Sequence, residues 1–91
     1  MCIDDQFGTQ TVADVGMYAQ TLMLAMTANG VASCAQGSLR YYPDVVREVL
    51  GLPNKIKVLV GISFGFEDPD VRANAARTDR ATVAETVPFL N

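Results

Sequence analysis

Three groups of residues in this chain have types and spacing suited to chemistry. The first is Gly30-Val31-Ala32-Ser33-Cys34-Ala35-Gln36-Gly37, a run of mostly small residues. Glycine reaches backbone conformations closed to other residues, and Ala and Ser add little bulk, so a flat ligand can approach the backbone there. Such a run holds few reactive side chains. It would work through backbone N–H groups, as proteins do with a bound group that carries its own reactivity. The second group is Arg77 and Arg80, three positions apart, a spacing that can grip a phosphate by bidentate hydrogen bonds or simply carry surface charge. The third is Arg40-Tyr41-Tyr42, read either as an amphipathic surface turn or as the rim of a substrate pocket.

Other chemistries are excluded or unsupported. The chain has no histidine, which removes His-based triads and His metal sites. Cys2 and Cys34 form no motif and point to a reducing, cytoplasmic compartment rather than a disulfide scaffold. Cys34 has no base or activating group beside it in sequence and reads as a small packing residue, not a nucleophile. Met17, Met23 and Met26 read as core filling, since a thioether adapts to irregular space. There is no G-x-G-x-x-G fingerprint, so a Rossmann dehydrogenase has no support. A net charge of −3 and a pI near 4.6 argue against nucleic-acid binding, which requires a basic stripe.

The elements that must position these residues follow from patterning. Ninety-one residues make a single domain. Hydrophobic content is 49% and mean hydropathy is +0.18. A domain this small buries only about 60–65% of its unfolded surface, so exposed apolar surface covered by a partner chain is expected. Residues 1–12 read as an irregular lead-in without the basic and apolar regions of a signal peptide. Thr11, with Asp14 three positions on, resembles a capping box opening a long helix. Val15, Ala19, Leu22 and Met26 mark its apolar stripe, and further apolar residues lie on other faces, as in a helix buried on most sides. Asn29-Gly30 ends it with a left-handed cap, which also breaks the uncharged run Val15–Leu39 and argues against a membrane span.

Pro43, Asp44 and Gly51 bracket a second, short helix, and Pro53 prevents its continuation. Ile56–Phe66 reads as one long strand covered on both faces, with Gly61 and Gly65 marking close approach or a bulge. Glu67-Asp68-Pro69-Asp70 reads as a solvated acidic turn. Residues 67–91 form a polar arm ending in Val83, Val87 and Phe89, an apolar tail suited to docking on a partner subunit.

In this order the elements resemble the C-terminal half of the FMN-dependent nitroreductase family, from about Ala13 to Phe89. Ala13–Ala25 is similar to the family's central helix, and Ser33-Cys34-Ala35-Gln36-Gly37 to its flavin-facing loop. Asp44–Pro53 resembles the following helix and turn, Val58–Phe66 the central strand, and Arg77-Thr78-Asp79-Arg80 a C-terminal basic motif. The resemblance implies an α+β sandwich, a mixed sheet flanked by helices, in intertwined homodimers with flavin mononucleotide (FMN) at the interface. Here the chain holds the C-terminal part: two helices, a buried central strand and an extended arm within one partial domain, 1–91. The implied activity is electron transfer from NAD(P)H through FMN to nitroaromatic, quinone or similar small-molecule acceptors. Carried over by residue, Ala35, Gln36 and Gly37 would line the isoalloxazine, with the Gly37 N–H near flavin N5. Arg77 and Arg80 would bind the FMN phosphate. No side chain is implied as catalytic, because the flavin carries the chemistry.

Family members are usually more than twice this length, and nothing in residues 1–12 matches their N-terminal basic motif. The chain therefore reads as part of a complete enzyme, as the partner of a separate N-terminal half, or as a stand-alone remnant. Two functions follow: an FMN-dependent oxidoreductase seen in part, or a non-catalytic oligomeric module lacking a complete flavin site.

Overall fold

The computed structural model describes residues 1–88. In chain order the elements are β1 (Cys2–Asp4), α1 (Thr9–Ala28), β2 (Ala32–Gln36), a short 3-10 helix (Gly37–Tyr41), α2 (Pro43–Leu50), β3 (Ile56–Val58), β4 (Gly61–Gly65), a second 3-10 helix (Arg72–Ala75) and α3 (Val83–Thr86). This is an α+β arrangement built on two antiparallel strand pairs, β1 with β3 and β2 with β4.

The N-terminal residues are not the irregular lead-in that their polarity suggests. Cys2, Ile3 and Asp4 pair with Val58, Lys57 and Ile56. The Met1 ammonium donates to the Val60 carbonyl at 2.6 Å, and Leu59 N–H donates to Met1 O at 3.0 Å. Period-two patterning is hard to see in so short a strand, and its partner lies more than fifty residues away. Helix α1 also starts earlier than the Thr11–Asp14 pattern predicts. Gly8 is its N-cap and makes no side-chain capping bond, so Thr11 lies inside the first turns.

The far end of α1 closes as its sequence requires. Gly30 takes φ 73°, which lets its N–H reach Thr27 O at 3.0 Å and the Val31 N–H reach Met26 O at 2.9 Å. The Asn29 side-chain amide donates to Ala25 O at 2.8 Å. Helix α2 ends the same way: Gly51 at φ 62° directs the Leu52 N–H to Arg47 O at 2.8 Å. Arg47 then ties α2 to β3, its Nε donating to Ile56 O at 2.8 Å and Nη1 to Asp44 at 2.8 Å.

The single strand expected over Ile56–Phe66 is two strands. Leu59 and Val60 interrupt it, and the segments on either side take different partners. Nor is it covered on both faces: Phe64 is 72% and Phe66 87% exposed. Helix α1 is likewise uncovered, with no buried residue. Among the described residues only Ile3 and Val58 are buried hydrophobics, and they come from β1 and β3. The accessible surface is 7572 Å², against about 5,200 Å² for a compact folded chain of this mass. The Cα radius of gyration of 16.5 Å exceeds the roughly 12 Å of a compact domain of this length. The elements have the apolar faces of an interior without the mass to enclose one.

The arm is more structured than a polar tail. Thr82 caps α3 in a reciprocal capping box, its N–H donating to Glu85 Oε2 at 2.7 Å. This bond and the Thr82 hydroxyl hold the Glu85 carboxyl below its ordinary range. Val83 and Val87 are exposed; Phe89, the last residue of the expected docking tail, lies outside the described residues.

Two results are expected. Lys55 Nζ lies 2.6 Å from Asp4 Oδ2 and lowers the Asp4 pKa through that hydrogen bond, aided by the Gln6 N–H. A lowered carboxyl stabilises the fold above its unfolded pKa, and the gain is lost as pH falls through the folded value. Asp4→Asn should therefore lower stability at neutral pH, and the gap to the parent should close below about pH 4. Denaturant melts across that range test it, and a gap that persists to low pH contradicts it. Second, a Cβ at Gly61 would collide with Leu39 Cδ1 and lie 3.4 Å from Leu39 Cγ. Leu39 must turn aside to admit a side chain at 61, so Gly61→Val should cost no more than about 1 kcal/mol, most of it recovered when Leu39→Ala is added, measured by a double-mutant cycle.

Candidate functional site

The run Gly30–Gly37, read from sequence as a loop, is mainly strand. Ala32–Gln36 is β2, pairing Ala32 with Gly65, Ser33 with Phe64, Cys34 with Ser63, Ala35 with Ile62 and Gln36 with Gly61. Small residues are compatible with a strand when a partner supplies the ladder, and composition alone does not reveal that partner. The pair has two ends. At one, Ala32 and Gly65 adjoin the C-terminus of α1; at the other, Gln36 and Gly61 adjoin the 3-10 helix. A five-residue strand separates them by about 14 Å.

At the first end lies an open cleft of about 900 Å³. Thr27 borders it from α1, Gly30 from the turn that follows, Ser33 and Cys34 from β2, and Ser63 and Phe64 from β4. Arg77 reaches it from the arm. Its guanidinium is steadied by its own backbone, Nη1 donating to Asn74 O at 2.6 Å and Ala76 O at 3.1 Å. Asn74 is in turn anchored, its amide donating to Asp68 O at 2.8 Å. Arg80 does not line the cleft. Its Nη1 donates to the Thr78 hydroxyl and to the Thr78 and Asp79 carbonyls, at 3.2 and 3.0 Å for the last two. Cys34 is exposed at the cleft wall and forms no disulfide, with its thiol 3.8 Å from Ala35 O.

Ala35, Gln36 and Gly37 sit toward the second end and do not line this cleft. The Gln36 amide donates to Ser63 Oγ at 3.1 Å, bracing the strand pair. Gly37 starts the 3-10 helix, and nothing lies within 4 Å of the position a Cβ would occupy. Arg40 follows on the same short helix. Its Nη2 donates to the Tyr41 hydroxyl at 2.9 Å, and its guanidinium carbon is 4.9 Å from the ring centroid. This hydrogen bond raises the Arg40 pKa and lowers that of Tyr41. Tyr41 and Tyr42 are both about two-thirds exposed, at 67% and 65%.

The residues expected from sequence thus divide between the ends of one strand pair: Arg77 at one, Ala35, Gln36 and Gly37 at the other. Sequence reasoning missed Ser63 and Phe64 of β4, and the acidic Glu67 and Asp68 that share the cleft with Arg77. Only the β2–β4 register brings Ser63 opposite Cys34. Among the described residues, no group of three His, Cys, Asp or Glu side chains could hold a metal ion, and no helix is long and apolar enough to cross a membrane.

Known proteins share this chain's sequence pattern and fold. The sequence model of the nitroreductase family matches residues 4–66. The nitroreductase NfnB of Mycolicibacterium smegmatis (strain ATCC 700084 / mc(2)155) is 54% identical over 76 residues, covering 84% of this chain and 32% of that protein. A 4-nitrobenzoate reductase of Nocardioides sp. (strain LMS-CY) is 36% identical over 77 residues, covering 85% of this chain and 31% of its own length. The crystal structure of the FMN-dependent nitroreductase NfnB from Mycobacterium smegmatis in complex with NADPH superposes with a TM-score of 0.90 at 44% identity, covering 99% of this chain and 40% of that one. The chain spans about a third of the length of the curated relatives it matches. In sequence over most of its length and in fold over nearly all of it, the chain belongs to the nitroreductase family.

Proposed function

We propose that this chain carries one side of the FMN site of an NAD(P)H-dependent nitroreductase. The observation that supports it is the division of the β2–β4 pair: an open glycine backbone at one end and an arginine-bordered cleft at the other. FMN has the matching division, a flat ring and an anionic phosphate. The residues fit such a group. Gly37 leaves room for close approach, Ala35 adds little bulk beside it, and each of Arg77 and Arg80 uses only Nη1 for bonds among the described residues. Glu67 and Asp68 border the same cleft, so a phosphate there would have to sit on the arginine side of it.

When bound, the flavin supplies the electron transfer between nicotinamide and acceptor. The chain supplies position and field. The Gly37 N–H would donate toward the ring, stabilising negative charge there as a fixed dipole that needs no reorganisation. Arg77 and Arg80 would hold the phosphate through charge-assisted hydrogen bonds. Ser63 holds Gln36, and so the strand end bearing Gly37, in place.

The exposed apolar faces of α1 and β4 would be covered by a second copy or by further chain of the same enzyme, as a homodimer with an interfacial site requires. Acceptors would be nitroaromatic or quinone-like. The free thiols Cys2 and Cys34 suit the cytoplasm.

The test is FMN binding, read by the flavin absorption and fluorescence of the purified protein with and without added FMN. The double variant Arg77→Ala/Arg80→Ala should bind FMN at least about tenfold more weakly, from the loss of hydrogen bonds to a charged group, with an unchanged melting curve. Unchanged affinity removes the phosphate role. Gly37→Val should fold normally, since the site is open within the chain, yet lose flavin by steric exclusion. A valine variant that binds FMN like the parent removes the loop from the site. A parent protein that ignores FMN leaves the non-catalytic module as the function.

A further inference from the structure

The two ends of the β2–β4 pair both carry arginine, and one flavin phosphate accounts for only one of them. Arg77 borders the cleft at the Ala32–Gly65 end, and Arg80 stands three residues further along the arm. Arg40 stands three residues beyond Gly37, at the opposite end, about 14 Å along the strand. An anion held at Arg77 cannot be the anion for Arg40.

Among the described residues Arg40 also has no anionic partner. Of the ion pairs among the described residues, one joins Arg47 to Asp44 and the other Lys55 to Asp4. The hydrogen-bond partner of Arg40 is the neutral Tyr41 hydroxyl, which takes one Nη2 proton. The remaining N–H groups stay available to a ligand. That same bond reduces the freedom of a long side chain, so less order must be imposed when a ligand arrives. Tyr41 and Tyr42 add exposed aromatic surface next to the charge.

We infer that Arg40, oriented by Tyr41, is a specificity residue that receives an anionic substituent of a substrate at the ring end of the site, a role that rests on the flavin site proposed above. The chemistry recognised is a planar carboxylate or a phosphate beside a flat ring. Two substrates could supply it: an aromatic acceptor bearing a carboxylate, or the extra phosphate that separates NADPH from NADH. Arg40 would act on binding and not on the electron transfer, so its effect belongs in KM.

The experiment uses the complete flavin-loaded enzyme that contains this chain and compares Arg40→Ala and Arg40→Lys with the parent. The acceptors are 4-nitrobenzoate and uncharged nitrobenzene, each with NADPH and with NADH. For an acceptor anion, Arg40→Ala should lower the kcat/KM ratio of 4-nitrobenzoate to nitrobenzene about tenfold, through KM, with partial rescue by lysine. For a reductant anion, the ratio of NADPH to NADH should fall instead, equally with both acceptors. If neither ratio moves, or if all four values fall together, Arg40 has no anion-binding role. FMN content, measured by absorbance on each variant, separates this result from a failure of the flavin site, because Arg40→Ala should keep its flavin while the Arg77/Arg80 variant should lose it. Titration calorimetry with benzoate and with adenosine 2′-phosphate gives an answer without turnover: loss of the one or the other in Arg40→Ala supports the role, and binding of both unaltered, or of neither by the parent, overturns it.

Discussion

The antiparallel ladder between β2 and β4 is the constraint on which the site depends. Neither strand has a sequence that would hold it extended alone. Ala32–Gln36 has no bulky β-branched residue, and Gly61–Gly65 has a glycine at each end. Paired, they satisfy each other's backbone groups in one register, Ala32 opposite Gly65 through Gln36 opposite Gly61. That register determines what lies at each end: helix terminus, cleft and Arg77 at one, Gly37 and Arg40 at the other. At Gly61, Leu39 of the adjoining 3-10 helix occupies the space a side chain would take.

A shortage of interior shapes everything else. Two buried hydrophobic residues do not account for the stability of an 88-residue stretch with long exposed apolar faces. The apolar character of α1 on several sides and of β4 at Phe64 is that of elements made to be packed from more than one direction. This explains why the sequence reads as more buried than the structure is. The inference from hydrophobicity to burial assumes that the covering atoms belong to the same chain, and here about a third of a family member's length is present.

What was legible in the sequence is what local chemistry decides. Pro43 and Gly51 bound α2, and Asn29-Gly30 ends α1, because proline and left-handed glycine act through their own backbone. The family could be read from the order of motifs, and the α+β class followed from it. Less legible was whatever depends on a distant partner. The strand at Cys2–Asp4 exists because Ile56–Val58 lies beside it. Small residues at 32–36 form a strand because 61–65 completes them. The start of α1 was misplaced for a different reason: Thr11 and Asp14 have the right spacing for a capping box, but the helix begins at Thr9 behind Gly8 and does not use it. For the candidate site, the identities of Gly37 and Arg77 were visible, while their separation along a strand pair was not.

The interruption at Leu59–Val60 has a consequence for the order in which the chain can assemble. Because β3 and β4 take different partners, the fold contains two separate ladders whose closing loops differ roughly twofold in length, a difference of about 0.6 kcal/mol in closure entropy. The shorter loop belongs to the pair that carries Gly37 and the cleft. The longer one belongs to the pair that buries Ile3 and Val58 and cannot form until nearly the whole length from β1 to β3 has been brought together. The β2–β4 ladder therefore closes at a slightly smaller entropic cost than the ladder that holds the small core.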